Sequence, residues 1–342
     1  MINFKNKSIL SNILMMYTSL SFAISFLIVL IILPYWIRRA REHNLVSRDV
    51  HKLNSKPVAD IGGIIVSFGA IIGILLFIAV TVFIKKEDSM YYLLAAVSSL
   101  LIATLIGLVD DILGWKIGLR QYQKALLSVL IALPIVVINA GNHTMNLLLF
   151  GHVDLGLFYP LLLIPIGIMG ASNGFNMLAG YNGLEAGMGI IILSALGFLA
   201  WVVDKYPAML IAYCFVAALL AFIIFNKYPA KVFGGNTLTY SVGAAIAIVA
   251  ILGDLEKFAV ILFIPYFFEF VLKMRGLLQK ESFAKPLKDG SLINRYNKWY
   301  GVEHIAVSFL RTIKGRAFEY EVVALILFTE LVLAFITVFI VF

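Results

Sequence analysis

Long apolar stretches dominate the chain. No Asp, Glu, Lys or Arg falls within residues 8–37, 61–84, 89–109, 125–153, 155–184, 186–203, 206–226 or 232–253. Two further runs, 258–272 and 322–342, carry one acid each, Glu269 and Glu330. A bilayer-spanning helix needs roughly 20 mostly apolar residues, so the pattern predicts ten spans. The runs are too long and too uniformly apolar for the alternating segments of about ten residues that build a membrane β-barrel. The expected fold is therefore an all-α polytopic integral membrane protein with about ten transmembrane helices. The first run is too long for a cleaved signal and lacks a small-residue cleavage site, so it reads as the first span. Residues 1–342 read as a single transmembrane domain. Its longest interruption is a loop at 275–316 between spans 9 and 10, predicted to form a small basic lobe.

Composition agrees. Hydrophobic residues make up 62% and charged residues 13%, about half the charged share of a soluble domain. The single cysteine, Cys214, excludes a disulfide framework or a cysteine metal centre. The net charge of +8 could suggest nucleic acid, but no aromatic-basic module or DNA-reading helix pattern accompanies it. The basic residues instead sort by loop. Loops after odd-numbered spans hold 21 Lys and Arg and the opposite side six, which places the odd loops in the cytoplasm and both termini outside. Trp36, Trp115 and Trp201 fall at span ends, as interfacial aromatics do.

Four polar motifs interrupt this pattern. Gly107-Leu108-Val109-Asp110-Asp111 ends span 3 with adjacent carboxylates, which need water, a cation or basic partners. It reads either as a charged helix end or as a magnesium or substrate site. The stretch from Asn173 to Gly187 holds four Gly and three Asn in fifteen residues. Such broken helix is tolerated only against protein or a wet cavity, and its amide oxygens suit a hard cation or a base edge. Lys227 to Thr237 ends in Gly-Gly-Asn-Thr, a helix cap or an anion or metal site at a helix start. Arg48-Asp49-Val50-His51-Lys52, followed by Lys56-Pro57 and Ile61-Gly62-Gly63, supplies cations together with Arg120, Lys124, Lys285 and Lys288. Most of these basic residues serve topology and lipid contact, and three or four remain for a phosphate. Glu269 and Lys273 have the spacing of a local ion pair. Glu330, near mid-span, is expected to be protonated or bundle-facing. The charge-based orientation gathers all four motifs at the cytoplasmic face, where carboxylates, amides and lysines together suit a pyrophosphate.

These residues resemble the polyprenyl-phosphate N-acetylhexosamine-1-phosphate transferases, and within them the archaeal and eukaryotic branch that uses UDP-GlcNAc and dolichyl phosphate. NMLAGYNGLEAG at 176–187 is the most specific match. GLVDDILG at 107–114 and KYPAKVFGGNT at 227–237 match at the right separations, GLRQYQKALL at 118–127 and KDGSL at 288–292 more loosely. The resemblance spans the whole chain. It implies attack of a lipid phosphate on the β-phosphorus of a UDP-sugar, release of UMP, and Mg2+ as cofactor, with Mn2+ as an alternative. The implied partners are the UDP-sugar, the lipid and the membrane, with no nucleic acid; a homodimer is compatible. By matched position Asp110 and Asp111 are the catalytic acid pair, Asn176 is a metal ligand, Lys124 reaches the pyrophosphate and Asn182 meets the nucleotide. Lys52, Glu185, Lys285 and Lys288 complete the implied substrate contacts. Asn236 stands where most relatives carry a metal-binding aspartate, so it would ligate without adding charge.

The loop at 275–316 lacks the His-rich motif of the peptidoglycan-precursor branch, which favours GlcNAc over a MurNAc-pentapeptide. The expected location is an archaeal plasma membrane, with endoplasmic reticulum as the alternative. A secondary transporter and an inactive homologue are the competing readings. Transporters place their sites near the midplane, whereas these motifs gather at one face.

Overall fold

The computed structural model describes residues 2–85, 90–114, 118–147 and 151–340. Among them seven helices are long and apolar enough to cross a membrane. They are α1 (Ile2–Glu42), α2 (Gly63–Lys85), α3 (Tyr91–Leu113), α6 (Leu184–Val202), α7 (Tyr206–Asn226), α8 (Gly235–Gly253) and α12 (Glu319–Phe339). The remaining three apolar runs are shorter or broken. Helix α4 (Gln121–Val137) ends just beyond Pro134. Helix α5 (Ile164–Met177) follows a π-helical turn at Tyr159–Leu163, with Pro160 and Pro165 at the two starts. The run at 258–272 divides between α9 (Glu256–Leu262) and α10 (Ile264–Arg275), with Pro265 opening the second piece. Proline lacks the N–H that would continue the preceding ladder.

Among the described residues three two-stranded antiparallel ladders depart from the all-α expectation: β1 (Val46–Ser47) with β2 (Val58–Ala59), β3 (Thr144–Leu147) with β4 (Gly151–Asp154), and β5 (Lys285–Pro286) with β6 (Leu292–Ile293). The second lies at the end of the charge-free run 125–153 and closes on Asp154; apolar strand and apolar helix have the same hydropathy there. The loop at 275–316 contains β5, β6 and α11 (Val302–Lys314). Trp115 and Lys116 lie outside the described residues.

Helix α8 is the hub. Within its apolar window 83% of residues are buried, against 28% for α1 and 33% for α12, so those two form the lipid-facing periphery. Helix α8 packs against α2, α3, α5, α6 and α7. Small residues permit this, as in membrane bundles generally. A Cβ on Gly243 would stand 2.6 Å from the Ala171 carbonyl oxygen, and one on Gly107 2.6 Å from that of Asn236. Glu330 is fully buried within the bundle, the inward-facing position expected of a mid-span acid.

Candidate active site

The start of α8 is fixed by two neighbouring segments. Phe233 donates its N–H to the Ala59 carbonyl at 2.8 Å, while Gly62 and Gly63 donate theirs to Phe233 and Gly234 at 2.9 Å. Such close backbone approach requires glycine: a Cβ on Gly63 would lie 2.3 Å from the Leu238 nitrogen. From α3, Asp111 accepts hydrogen bonds from Asn236 N (2.7 Å), Thr237 N (2.9 Å) and Thr237 Oγ1 (2.6 Å). Its carboxylate thereby caps the positive end of α8 from outside that helix.

Asp110 turns elsewhere. It is 3% exposed; Oδ1 accepts the Leu119 N–H at 2.8 Å and Oδ2 pairs with Lys124 Nζ at 2.5 Å. Lys124 sits in the first turn of α4, just beyond Arg120. The adjacent acids are thus held apart electrostatically, one by a helix end and one by an ammonium.

Asn176, in the last turn of α5, accepts a 2.8 Å hydrogen bond from Thr239 Oγ1, which also reaches the Asn236 carbonyl at 3.2 Å. One hydroxyl therefore bridges the Asn173–Gly187 motif and the Gly-Gly-Asn-Thr motif. Asn173 adds to the bridge: its Oδ1 accepts from Tyr240 OH at 3.0 Å and its Nδ2 donates to Ser128 Oγ at 2.7 Å. The Asn236 side chain has no hydrogen-bond partner among the described residues and is half-buried. The potential donors here are all oxygens: two carboxylates and the amides of Asn176 and Asn236. That set suits a hard divalent cation such as magnesium.

Of the other sequence-derived candidates, Lys52 and Asn182 form a second cluster, with Lys288 at its edge. Asn182 is buried, with its backbone N–H and both side-chain polar atoms engaged. Its N–H donates to Glu319 Oε1 (2.8 Å), Nδ2 donates to Asp49 Oδ2 (3.1 Å), and Oδ1 accepts from Ala230 N (2.7 Å) and Lys52 Nζ (3.2 Å). Lys52 also pairs with Asp49 and Glu319 and lies over the Tyr228 ring. A cavity of about 190 Å³ opens beside it, lined by His51, Lys52, Tyr228, Lys288 and Glu319 among others. Lys288 is exposed at its edge; Lys285 is exposed on β5 and does not line it. Glu185 accepts the Gly180 N–H at 2.7 Å and so closes the loop between α5 and α6, where Gly180 and Gly183 hold positive φ.

Sequence reasoning missed Asp49, Glu319, Thr237 and Thr239 as members of these networks. Asp49 stood inside the basic motif but counted only as its neighbour. Glu319 shows no local signal, because its partners lie more than 130 positions away.

The profile of glycosyl transferase family 4 matches residues 92–254. This segment contains both acids, Lys124, the Asn-rich loop and the start of α8. A Saccharolobus solfataricus protein is 36% identical over 317 residues, covering 92% of this chain and 94% of its own length. The chain belongs to glycosyl transferase family 4. The S. solfataricus relative carries the provisional name UDP-N-acetylglucosamine–dolichyl-phosphate N-acetylglucosaminephosphotransferase. A Sulfolobus acidocaldarius member of the same provisional name is 29% identical, over 93% of this chain and 94% of its own. The bacterial branch is represented by the phospho-N-acetylmuramoyl-pentapeptide-transferase of Halalkalibacterium halodurans, 28% identical over 74% of this chain and 79% of its own.

Proposed function

We propose that this membrane protein transfers GlcNAc-1-phosphate from UDP-GlcNAc to dolichyl phosphate or a related polyprenyl phosphate. A phosphate oxygen of the lipid attacks the β-phosphorus, the bond from that phosphorus to the bridging oxygen breaks, and UMP leaves. The product is GlcNAc joined to the lipid through pyrophosphate. The observation that carries this reading is the near end-to-end match to the S. solfataricus relative so named. The meeting of Asp111 and Asn176 with the start of α8, and the Asp110–Lys124 pair next to Asp111, support it.

The chemistry asks little covalent work of the protein. The nucleophile is already an anion, so the requirement is to hold two anions together and neutralise charge on the phosphoryl oxygens. Lys124, partnered by Asp110, is the ammonium for the pyrophosphate. Asp110 Oδ2 orients the lipid phosphate or takes its proton. Asp111 keeps the start of α8 in place. Asn176 and Asn236, with the carboxylates, would hold Mg2+ or Mn2+, which when bound offsets negative charge on the UDP-sugar. We place the reaction at the cytoplasmic face of an archaeal plasma membrane, in a chain of ten crossings with both termini outside.

Purified protein mixed with UDP-GlcNAc, dolichyl phosphate and Mg2+ is expected to release UMP only when the lipid is present and EDTA is absent. Release of UDP would mean transfer of the sugar alone and would overturn the mechanism. Absence of both nucleotides across a panel of UDP-sugars and lipids would overturn the reading itself.

A further inference from the structure

We propose that Asp49, His51 and Glu319 form a binding site for a zinc-like first-row divalent metal, separate from the magnesium donors around Asn236. One ligand atom from each of the three lies within 4.8 Å of the others, and all three residues are buried. The deciding feature is His51. Its side chain has no solvent exposure and neither ring nitrogen has a hydrogen-bond partner. A neutral imidazole carries one N–H and one lone pair, and burying both unsatisfied is costly. The ring is nevertheless held in place. Tyr181 lies against it at 4.0 Å between centroids and Phe283 meets it edge-on at 5.7 Å. Its Nδ1 stands 3.8 Å from Glu319 Oε1.

The carboxylates are braced as metal ligands usually are, by a hydrogen-bonding residue outside the ligand set: Asn182 donates to both Asp49 and Glu319. Asp49 Oδ1 also accepts the backbone N–H of His51 at 3.0 Å. The Lys52 ammonium occupies part of the space, paired with both acids. Two carboxylates, one ammonium and a neutral imidazole leave a net charge of −1, so the pocket still favours a cation. Lys52 also has an exit. Its side chain is 26% exposed and borders the 190 Å³ cavity, so the ammonium can swing outward as a metal enters. Tetrahedral bonds of about 2.0 Å set ligand atoms roughly 3.3 Å apart, which requires the His51–Glu319 pair to close by about 0.5 Å and no pair to close by more than about 1.5 Å. One imidazole and two carboxylates favour zinc, cobalt or manganese over magnesium. Bound there, the metal would clamp the segment between β1 and β2 to the start of α12.

Co2+ titrated into the chelator-stripped, detergent-purified chain in excess Mg2+ tests this through its visible absorption. The expected result is one equivalent with a tetrahedral band in the wild type, at least tenfold tighter in Lys52→Met, and no band in His51→Gln or Glu319→Gln variants that keep their gel-filtration profile. No band in either the wild type or Lys52→Met would overturn the site, as would a band that persists in folded His51→Gln. If the acid variant fails to fold, Lys52→Met and His51→Gln still decide. UMP release is a separate readout, so this site and the transferase reading fail independently.

Discussion

Asp110 and Asp111 are neighbours in sequence but have different partners, and this separates their expected phenotypes. Asp110→Asn removes the charge paired with Lys124 and, in the proposed mechanism, the group that orients the lipid phosphate. UMP release should fall at least about 100-fold, the lower end for a positioned acid or base, a loss beyond what the accompanying drop in melting temperature explains, since the Lys124 ammonium also loses its buried partner. Asp111→Ala leaves the Asn236 and Thr237 N–H groups without their acceptor. Loss of such a cap costs about 0.5–2 kcal/mol, so melting temperature and activity should drop together. Asn236→Asp should keep or raise activity and lower the Mg2+ concentration at half-maximal UMP release, because a carboxylate adds charge to the oxygen donor set. A folded but inactive Asn236→Asp protein would contradict Asn236 as a ligand position. His304 gives a pH signature. Its Nδ1 accepts the Tyr300 N–H at 3.1 Å and its Nε2 is buried with no hydrogen-bond partner among the described residues. Burial, with Lys273 and Arg295 nearby, lowers its pKa to about 4. The unfolded chain takes up this proton near pH 6.5 and the folded chain only near pH 4, so this residue's contribution to stability falls as pH drops through that window. Burial and the nearby Glu269 push the Glu303 carboxyl well above its ordinary range, which acts in the opposite direction as pH rises above 4.5. Thermal melts between pH 6.5 and 4 should therefore lose less stability in His304→Gln than in the wild type.

At the scale of elements, what sequence could reveal depended on locality. The long helices were legible because a charge-free run states its own length. The acid pair, the Asn-rich loop and the Gly-Gly-Asn-Thr turn were legible because each is contiguous. The strand pair at 144–154 was not, since hydropathy there has no period to separate strand from helix. The Asp49–Asn182–Glu319 network was not legible either, because it exists only once three distant segments meet. The glycine in Gly107-Leu108-Val109-Asp110-Asp111 shows how an element carries the site. It brings α3 against the first turn of α8, with a would-be Cβ 2.6 Å from both the Asn236 carbonyl oxygen and the Thr237 Cα. Backbone atoms cannot yield as a side chain would. Gly107→Val should push the two helices apart, costing about 1–3 kcal/mol as overpacking does, and should pull Asp111 off the α8 N-terminus. The melting temperature and UMP release would both fall, and lipid or UDP-sugar in excess would not restore activity. Retention of wild-type activity would show that α3 and α8 need not approach so closely.

The orientation of the whole molecule rests on charge. In the ten-span topology predicted from the sequence, Lys and Arg divide 21 to six between the two sides, and cytoplasmic loops are generally the richer ones. The reaction adds a requirement of its own, because a nucleotide-sugar donor must meet the motifs on the side where it is supplied. The chain is well suited to a direct test. Its only cysteine, Cys214, is fully buried in α7, so the wild type should stay dark to a membrane-impermeant maleimide from either side. Lys288 and Lys257 are both exposed and fall on opposite sides of the predicted topology. Lys288→Cys should react only in inside-out vesicles and Lys257→Cys only in right-side-out ones. Labelling of both from the same side would remove the odd number of crossings between them. The reverse assignment would turn the start of α8, and with it Asp110, Lys124 and Asn236, away from the cytoplasm. A cytosolic UDP-sugar could not then reach those residues, so the maleimide pattern bears on the transfer mechanism as much as on the fold.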